Sequence, residues 1–420
     1  MLSTQTKDEK QENITPKLTI SEKVKLLRGA VDYEYFHNIV RPMLYQKCSE
    51  DPKLVREGLP ESVHELILDS LHENAWATRF IAPFFKAPEN VIITIKEKRW
   101  VPFGTAAGVD KNCLALEAFG NIFGFQEPGT VIIPGRKGND KPRVAVSEKD
   151  QDIYNAQGFP SDGVEKSSKR LSDYRENGGN AKIIVSICGL PLDDSKVSEE
   201  VAVGRALDEI LDLIEKLPNV QGYVWNPFSP NTASLKMLRK PSTFHRVALM
   251  LQVFEYQLKL VKMGPYEKQE KDDALALMNA FISGGGDGVV TTNTKMFPKE
   301  QLPYSIKDTW GYQSAGRSGR FLRNYRMRSV MDIRKAFPNS TIVATGGIFD
   351  ANDAFETFVA GANLLEGYTP YAYYGPGLVR YLMHGVSERL SINGVTLEQL
   401  QQEVKKYALK GKDFSDYKLR

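Results

Sequence analysis

The chain has 420 residues, of which 41% are hydrophobic and 25% are charged, a composition that is ordinary for a globular protein. Its formal net charge of +3 is too small to indicate binding to nucleic acid or acidic lipid by itself. No apolar run approaches the roughly 18 residues that a membrane-spanning helix needs. The length suits one large catalytic domain with a smaller attachment, although it leaves two domains open.

The three cysteines, Cys48, Cys113 and Cys188, form neither a CxxC pair nor a metal-ligand spacing. They predict buried thiols in a reducing compartment and no metal site. The first residues, "MLSTQTKDEKQENITPK", have no apolar stretch like that of a secretory signal. We therefore expect a cytoplasmic protein, with peripheral membrane contact left open, and a disordered polar tail over residues 1–25.

Residues 26–90 are predicted to form a helical hairpin. In "VDYEYFHNIVRPMLYQK" the apolar residues recur at helical spacing, as Phe36, Ile39, Val40, Met43 and Leu44. In "PESVHELILDSLHENAWATRFIAPFF" Pro60 is expected to open a helix, and the apolar surface continues through Trp76, Phe80, Phe84 and Phe85. Such a hairpin either packs on its own domain or forms a lid whose apolar groove meets a membrane or admits a greasy ligand.

From Phe103 onward, short apolar runs alternate with helical patterns. The eight runs are "FGTAAG", "FQEPGTVII", "AKIIVSICG", "GYVWNPF", "LKLVKM", "GVVTTNT", "TIVATGG" and "ANLLEGYT". Runs buried on both faces and separated by helices predict parallel strands, and eight of them predict a closed (β/α)8 TIM barrel in the α/β class over residues 91–420. "GGGDG", residues 284–288, precedes a strand, so it predicts a helix-to-strand turn and not a phosphate site.

Polar residues cluster where the predicted strands end, which is the working face of such a barrel. Glycines at the ends of strands seven and eight expose backbone N–H groups of the kind that bind phosphate. This predicted phosphate site consists of Gly346, Gly347, Tyr368 and Thr369, with Ser318 and Gly319 approaching from the segment after strand six. The alternative is that these glycines only turn the chain.

The motif "NPFSPNT" follows strand four and sets Ser229 between two asparagines and two prolines. Asn226, Asn231 and Asn293 could each cap a turn, and Lys262 could extend to solvent. Three amides and two lysines, Lys111 and Lys262, at one rim instead favour a planar ligand rich in amide groups, such as a pyrimidine, because each asparagine offers both a donor and an acceptor.

Nine motifs occur in the order found in dihydroorotate dehydrogenases: "AAGVDKN", "EPGTV", "KPRV", "DQDIYNAQGF", "SPNT", "TNT", "SGR", "TGGI" and "GYT". The chain resembles this family from Phe36 to the last strand and its helix. "ESVHEL" is similar to the first helix of the class 2 enzymes, which are membrane-associated and reduce quinone. The resemblance implies FMN-dependent oxidation of dihydroorotate to orotate in de novo pyrimidine biosynthesis, with a quinone as electron acceptor and no nucleic acid as partner.

The resemblance also implies roles for individual residues. Ser229 matches the catalytic base of class 2, where class 1 enzymes carry a cysteine. Substrate-binding positions match Lys111, Asn155, Gly158, Phe159, Asn226, Asn231, Asn293 and Thr294. FMN-binding positions match Ala106, Ala107, Gly108, Thr130, Lys262, Thr292, Gly319, Gly347, Tyr368 and Thr369. We add Ser186, Asn226, Ser318 and Gly346 to the cofactor set.

Four departures from the class 2 pattern bear on these roles. Ser186 stands where a flavin-contacting asparagine is usual, which implies a shorter or water-mediated hydrogen bond. Pro160 replaces an asparagine beside the substrate loop. Val146 replaces an arginine at the quinone tunnel and so leaves the electron acceptor open. Pro227 and Phe228 change the residues just before Ser229.

Two other functions remain as alternatives. A related flavin barrel could act on another dihydropyrimidine or use a different acceptor. The arginine-rich segment "GRSGRFLRNYRMRSVMDIRK" could instead belong to an RNA-binding paralogue without catalysis, although such tracts are usually solvated helix faces and this one has no aromatic stacking platform.

Overall fold

The computed structural model describes residues 16–217 and 219–412, so residues 1–15 of the predicted tail lie outside the described residues. Within the described part, Thr19 caps the helix Ile20–Val31: its side chain accepts a hydrogen bond from the backbone of Glu22, whose carboxylate accepts one from the backbone of Thr19. The prediction of a disordered tail is therefore wrong for residues 20–25, because this reciprocal capping stabilises the first helical turn.

The segment before the barrel consists of several short helices around a small core of its own. Phe36, Val40 and Leu44 are buried at four-residue spacing. Ile39, predicted on the same face, is 44% exposed, because a π-helical turn at Phe36–Val40 changes the periodicity. The elements are Ile20–Val31, Tyr33–Tyr35, Phe36–Val40, Arg41–Ser49, Pro52–Glu57, Leu59–Glu73, Ala75–Thr78, Ala82–Phe85 and Glu89–Val91. Among the described residues no helix is both long and apolar enough to cross a bilayer.

Eight parallel strands form the predicted barrel. They are β1 Phe103–Thr105, β2 Phe125–Gln126, β3 Ile184–Ile187, β4 Gly222–Trp225, β5 Leu258–Met263, β6 Gly288–Thr291, β7 Thr341–Thr345 and β8 Leu364–Gly367. They pair in the order β2-β1-β8-β7-β6-β5-β4-β3, and a parallel bridge between Gln126 and Ile183 joins the two ends. Nearly every strand residue is buried, which is why the runs read as continuously apolar.

Helices follow the strands and cover the barrel from outside. In Glu199–Lys216, Ser198 caps the first turn, and the buried residues Ala202, Ala206 and Ile210 recur every four positions. The other α-helices are Leu116–Gly120, Val164–Glu176, Pro241–Leu251, Lys271–Ser283, Tyr304–Lys307, Arg323–Ala336, Ala351–Ala360, Thr369–Tyr374, Gly377–Ile392 and Leu397–Leu409, and short 3-10 helices span Ala233–Leu238, Lys268–Glu270, Lys299–Gln301 and Arg320–Leu322. "GGGDG" joins the helix ending at Ser283 to β6, which begins at Gly288, as predicted.

An antiparallel sheet that the sequence pattern did not predict lies beside the C-terminal ends of the barrel strands. It pairs Lys295–Pro298, Ser314–Gly319, Asp152–Asn155 and Val144–Ser147 in that order. Its strands come from the loops after β2 and β6, so they bring Asn155 and Ser318 to the same end of the barrel as Ser229. A two-stranded hairpin, Ile93–Ile95 with Lys98–Trp100, precedes β1.

The close approach of β6 to β7 gives a test of the fold. A Cβ atom at Gly288 would lie 1.8 Å from the carbonyl oxygen of Thr341, whereas one at Gly204, in a helix, would meet nothing within 4 Å. We expect Gly288→Ala to lower the free energy of unfolding by about 3 kcal/mol. Gly204→Ala should raise it by about 0.5–1 kcal/mol, since alanine favours the helix. Urea denaturation measures both, and equal stabilities would contradict the packing described.

Candidate active site

One open cleft of about 1080 Å³, including its mouth, lies at the C-terminal ends of the strands. Except for Ser186, all the predicted site residues line it: Ala106, Ala107, Gly108, Lys111, Thr130, Asn155, Gly158, Phe159, Asn226, Ser229, Asn231, Lys262, Thr292, Asn293, Thr294, Ser318, Gly319, Gly346, Gly347, Tyr368 and Thr369. The structure therefore brings together residues that are up to 263 positions apart in the sequence, the separation between Ala106 and Thr369.

A chain of side-chain hydrogen bonds crosses the floor of the cleft. The hydroxyl groups of Ser186 and Thr130 lie 3.0 Å apart, and the Asn226 amide donates to Thr130 at 2.9 Å. Asn293 in turn donates to the amide oxygen of Asn226 at 3.1 Å. Ser186 is fully buried and reaches the cleft only through Thr130, because its side chain is short. Ser186 is thus the one predicted cofactor residue that does not line the cleft, and its shorter or water-mediated hydrogen bond to the cofactor stays a prediction.

Ser229 lies in the loop that follows β4, and a nearby arginine anchors the residues just before it. Arg239 donates to the carbonyl oxygen of Pro227 at 3.0 Å and stacks over the ring of Phe228, which also packs against Phe244. The departures at Pro227 and Phe228 therefore hold the base of the loop against the barrel helix Pro241–Leu251. Ser229 is 9% exposed and lines the cleft.

A second amide pair joins this loop to the antiparallel sheet. Asn231 donates to the side-chain oxygen of Asn155 at 2.8 Å, and Asn155 donates to the carbonyl oxygen of Gly316 at 3.0 Å. Gly158 and Phe159 adopt left-handed backbone angles, with φ of +66° and 55°, which turn the segment along the cleft wall. Pro160 lines the cleft beside them.

The predicted phosphate site is assembled from three chain segments. The hydroxyl groups of Ser318 and Thr369 lie 2.9 Å apart. Gly319, Gly346 and Gly347 all have positive φ, and a Cβ atom on Gly347 would lie 2.8 Å from the backbone nitrogen of Arg323. Only glycine fits this close approach, which leaves the backbone N–H groups uncovered for an anion.

The arginine-rich tract is not the solvated helix face that the sequence suggested. Arg326 is fully buried and donates to the carbonyl oxygen of Gly346 at 2.6 Å, and burial lowers its pKa to about 10. Arg334 is buried against the carbonyl oxygen of Gly361. Ion pairs within the tract include those of Arg317 with Asp152, Arg323 with Asp353 and Glu356, and Arg328 with Glu267.

Lys262 does not extend to solvent but faces an anion inside the protein. Its ammonium nitrogen lies 3.1 Å from an oxygen of Glu127, and both side chains are buried. A second buried carboxyl, that of Glu366, lies beside Glu127. Sequence reasoning did not select either glutamate. The available signal was a carboxylate inside or next to an apolar strand run, in "FQEPGTVII" and "ANLLEGYT".

Sequence reasoning also missed Glu61, from the helix Leu59–Glu73. Its buried carboxylate accepts hydrogen bonds from Arg143 at 2.9 and 3.1 Å. Although burial alone would raise the pKa of Glu61, the bonds from Arg143 and the charge of Lys111 lower it. Burial lowers the pKa of Lys111 itself, and the negative charge of Glu61 acts in the opposite direction by raising it. The N-terminal helices therefore contribute a negative charge beside the cleft.

His64 follows on the same helix and packs beside the cleft residue Tyr368, with 5.8 Å between the ring centres. Its Nε2 atom is buried without a hydrogen-bond partner among the described residues. Burial, together with the nearby charge of Lys111, lowers the pKa of His64 to about 3. The imidazole is thus neutral across the physiological range.

Comparisons with known proteins agree with this geometry. A sequence model described as "Dihydroorotate dehydrogenase" matches residues 93–390. A relative named "Dihydroorotate dehydrogenase (quinone)" from Gloeobacter violaceus is 32% identical over 386 residues, which are 87% of this chain and 97% of the relative. One of the same name from Mannheimia succiniciproducens is 29% identical over 354 residues, 79% of this chain and 98% of the relative.

This chain belongs to the dihydroorotate dehydrogenase family. As a member of the family it is an oxidoreductase and a flavoprotein, as the resemblance predicted. The crystal structure of DHODH from Eimeria tenella in complex with ferulenol has a TM-score of 0.67 and 24% identity, and covers 86% of this chain and 99% of its own. That likeness confirms the barrel fold. Relatives whose names specify quinone support the assignment of this chain to class 2.

The Glu61–Arg143 pair gives a test of how the helices support the cleft. Glu61→Gln leaves the buried guanidinium of Arg143 without its counter-charge, so we expect a loss of about 3 kcal/mol in the free energy of unfolding. Because Arg143 also donates to the carbonyl oxygen of Asn139, trypsin should cut the loop at Lys137 faster.

Glu65→Gln is the matched control. Glu65 lies on the same helix and pairs with Lys141 at 2.8 Å, but 40% of its side chain is exposed. The loss there should stay below about 1 kcal/mol. If both variants behaved alike, the Glu61 carboxylate would have no special part in holding the loop.

Proposed function

We propose that this chain oxidises dihydroorotate to orotate, holds FMN as its flavin in the cleft, and passes the electrons to a quinone. The observation that carries the proposal is the cleft itself, where Ser229, two amide pairs, Lys111 and Lys262 converge beside a glycine-lined anion site. Relatives across most of the chain are named dihydroorotate dehydrogenases (quinone).

Ser229 is proposed as the base that takes a proton from a ring carbon of the substrate. Bound FMN supplies the acceptor for the hydride that leaves the neighbouring carbon. A serine is a poor base at its ordinary pKa, so its position must be fixed and its proton must have a path away. The anchoring of the loop through Arg239 and Phe228 provides the first of these requirements.

The two amide pairs are proposed to bind the edges of the pyrimidine ring. Asn231 with Asn155, and Asn226 with Asn293, hold each other's orientation through hydrogen bonds and still line the cleft. Each amide keeps a remaining donor or acceptor for the ring. Lys111 is proposed to pair with the substrate carboxylate; burial destabilises its charge in the free protein, so an arriving anion is strongly favoured.

The donor set fits FMN. Backbone N–H groups at Gly319, Gly346 and Gly347, with the hydroxyl groups of Ser318 and Thr369, suit its phosphate. Lys262 and the Thr130 network are proposed to hold the ring system, where the ammonium would stabilise negative charge on the reduced flavin.

An apolar cluster beside the cleft is proposed as the quinone site. Val144, Ile153, Phe349 and Tyr373 form it, and Val146 packs against it. Val144 and Ile153 also line the cleft, so the cluster is continuous with the flavin site. The alternative, a different acceptor or another dihydropyrimidine, rests on Val146, where the resemblance leads one to expect an arginine. Restoration of oxidised flavin by added quinone distinguishes the two.

Replacing Ser229 tests the mechanism. Ser229→Ala should keep its flavin, while the rate at which dihydroorotate reduces the flavin falls by about 10²–10⁴-fold, since only the proton acceptor is removed. Stopped-flow absorbance of the bound flavin measures this rate. Ser229→Cys should retain more of it, because a thiol can still accept the proton.

Ser234→Ala is the control, because Ser234 lies five residues further along the chain, in the short helix Ala233–Leu238, and does not line the cleft. It should reduce flavin within about twofold of the parent rate. Reduction of Ser229→Ala at the parent rate would rule out Ser229 as the base.

We also propose peripheral membrane contact through aromatic residues next to the N-terminal helices. Trp76 and Phe80 are 60% and 73% exposed and contact each other edge to face at 6.0 Å, with Phe84 also exposed. Met43, expected on this surface, instead packs against the core of the N-terminal helices. Exposed aromatic rings of this kind favour the membrane interface.

The double variant Trp76→Ser, Phe80→Ser tests this contact. Its binding to phosphatidylcholine vesicles in a sedimentation assay should fall about tenfold, because the variant lacks two aromatic groups that the membrane would bury. Val253→Ser with Tyr256→Ser removes equally exposed apolar groups elsewhere and should leave binding unchanged. Equal binding by both double variants and the parent would contradict the assigned surface.

A further inference from the structure

Three charged side chains meet inside the barrel directly below the cleft. Lys262 comes from β5, Glu127 follows β2, and Glu366 comes from β8. They are 4%, 0% and 1% exposed. Lys262 lines the cleft, whereas neither glutamate does. The ammonium group of Lys262 lies 3.1 and 3.4 Å from the two oxygens of Glu127, so this carboxylate is its direct partner.

Glu366 has no such partner. Neither of its oxygens receives a hydrogen bond from a donor in the described part of the chain, and its carboxyl faces that of Glu127. The neighbours in register on β1 and β7, Gly104 and Thr345, carry no charge. One cation cannot balance two buried carboxylates, and an uncompensated charge in this position is costly.

Three titratable groups face Glu366 from the elements packed against it. They are Glu127, Lys262 and Tyr371, the last from the helix Thr369–Tyr374. Burial raises the pKa of Glu366 well above its ordinary value, and the charge of Glu127 raises it further, while Lys262 opposes both. Burial also raises the pKa of Tyr371, whose hydroxyl group is directed at the carbonyl oxygen of Gly104.

We propose that Glu366 is a carboxylic acid that keeps its proton and donates it in a hydrogen bond to Glu127, so that one carboxylate and one ammonium group remain beneath the flavin site. Glu366 is then a positioning residue for Lys262. With the proton present, the group of three is neutral and Lys262 stays directed at the cleft. With the proton lost, the net charge is −1, which opposes the negative charge of a reduced flavin. The effect on a reduced flavin rests on the proposed function.

Infrared spectroscopy tests the protonation state without any turnover. At neutral pH the parent holoprotein should show the C=O band of a buried protonated carboxyl, which shifts in deuterium oxide and is missing from Glu366→Gln. Glu215→Gln changes an exposed glutamate and should keep the band. A band of full intensity in Glu366→Gln would overturn the proposal.

A second variant covers the case in which Glu366→Gln does not fold. In Glu127→Gln, Lys262 has only Glu366 as an anionic partner, so Glu366 should ionise and the same band should disappear. Persistence of the band in Glu127→Gln would equally overturn the proposal.

The raised pKa of Glu366 predicts the direction in which the stability of the folded chain changes with pH. Because the pKa of Glu366 is raised in the folded chain, its contribution to stability is fully present below the unfolded value of about 4.3 and is lost as the pH rises through the folded value. Relative to the parent, Glu366→Gln should therefore gain stability as the pH rises. If the free energies of unfolding of the parent and of Glu366→Gln changed with pH in parallel, Glu366 would not be keeping its proton.

The flavin midpoint potential tests the effect on Lys262. Between the pH at which Glu366 ionises beside oxidised flavin and the higher pH at which it ionises beside reduced flavin, the potential of the parent should fall more steeply with pH than that of Glu366→Gln. Identical slopes, with the infrared band confirmed, would overturn the positioning role while leaving the protonated acid in place. A protein that binds no flavin would instead end the proposed function, and the infrared result would still decide the state of Glu366.

Discussion

Closure of the barrel is the constraint on which the site depends. The bridge between Gln126 and Ile183 joins the ends of the sheet, so residues from strands far apart in the sequence face a common interior. Successive side chains in a strand point to opposite faces, and each strand therefore sends few groups inward. Lys262 from β5 and Glu366 from β8 meet for this reason, although 104 positions separate them.

Charge inside this interior must be compensated locally. Beneath the cleft, Lys262 is held by Glu127, and the remaining polar groups of the floor, from Ser186 to Asn293, satisfy one another. A buried ion pair contributes little net stability compared with apolar packing of the same volume. Under the proposed function, the pair is better explained by the ammonium group that Glu127 holds at the cleft, where FMN is proposed to bind.

The N-terminal helices belong to the site as well as to the surface. Glu61 holds Arg143 and acts on Lys111, and His64 packs beside Tyr368. Through Arg143 the same helix fixes the loop at Asn139, which donates to the carbonyl oxygen of Ala156 beside Gly158. The cleft wall that contains Asn155 and Phe159 is thus supported from outside the barrel, and changes in these helices can reach the cleft.

The sequence by itself determined the eight strands and the end of the barrel that carries the chemistry, because strand periodicity and short glycine, asparagine and lysine motifs are local signals. Together with the family resemblance, it predicted most of the residues around the cleft. It did not predict the antiparallel sheet, the buried arginines, or the carboxylates Glu61, Glu127 and Glu366. These depend on which side chains from distant segments share one desolvated space. Whether a charged side chain is buried and paired can be seen only from the tertiary structure, because its neighbours come from distant parts of the sequence.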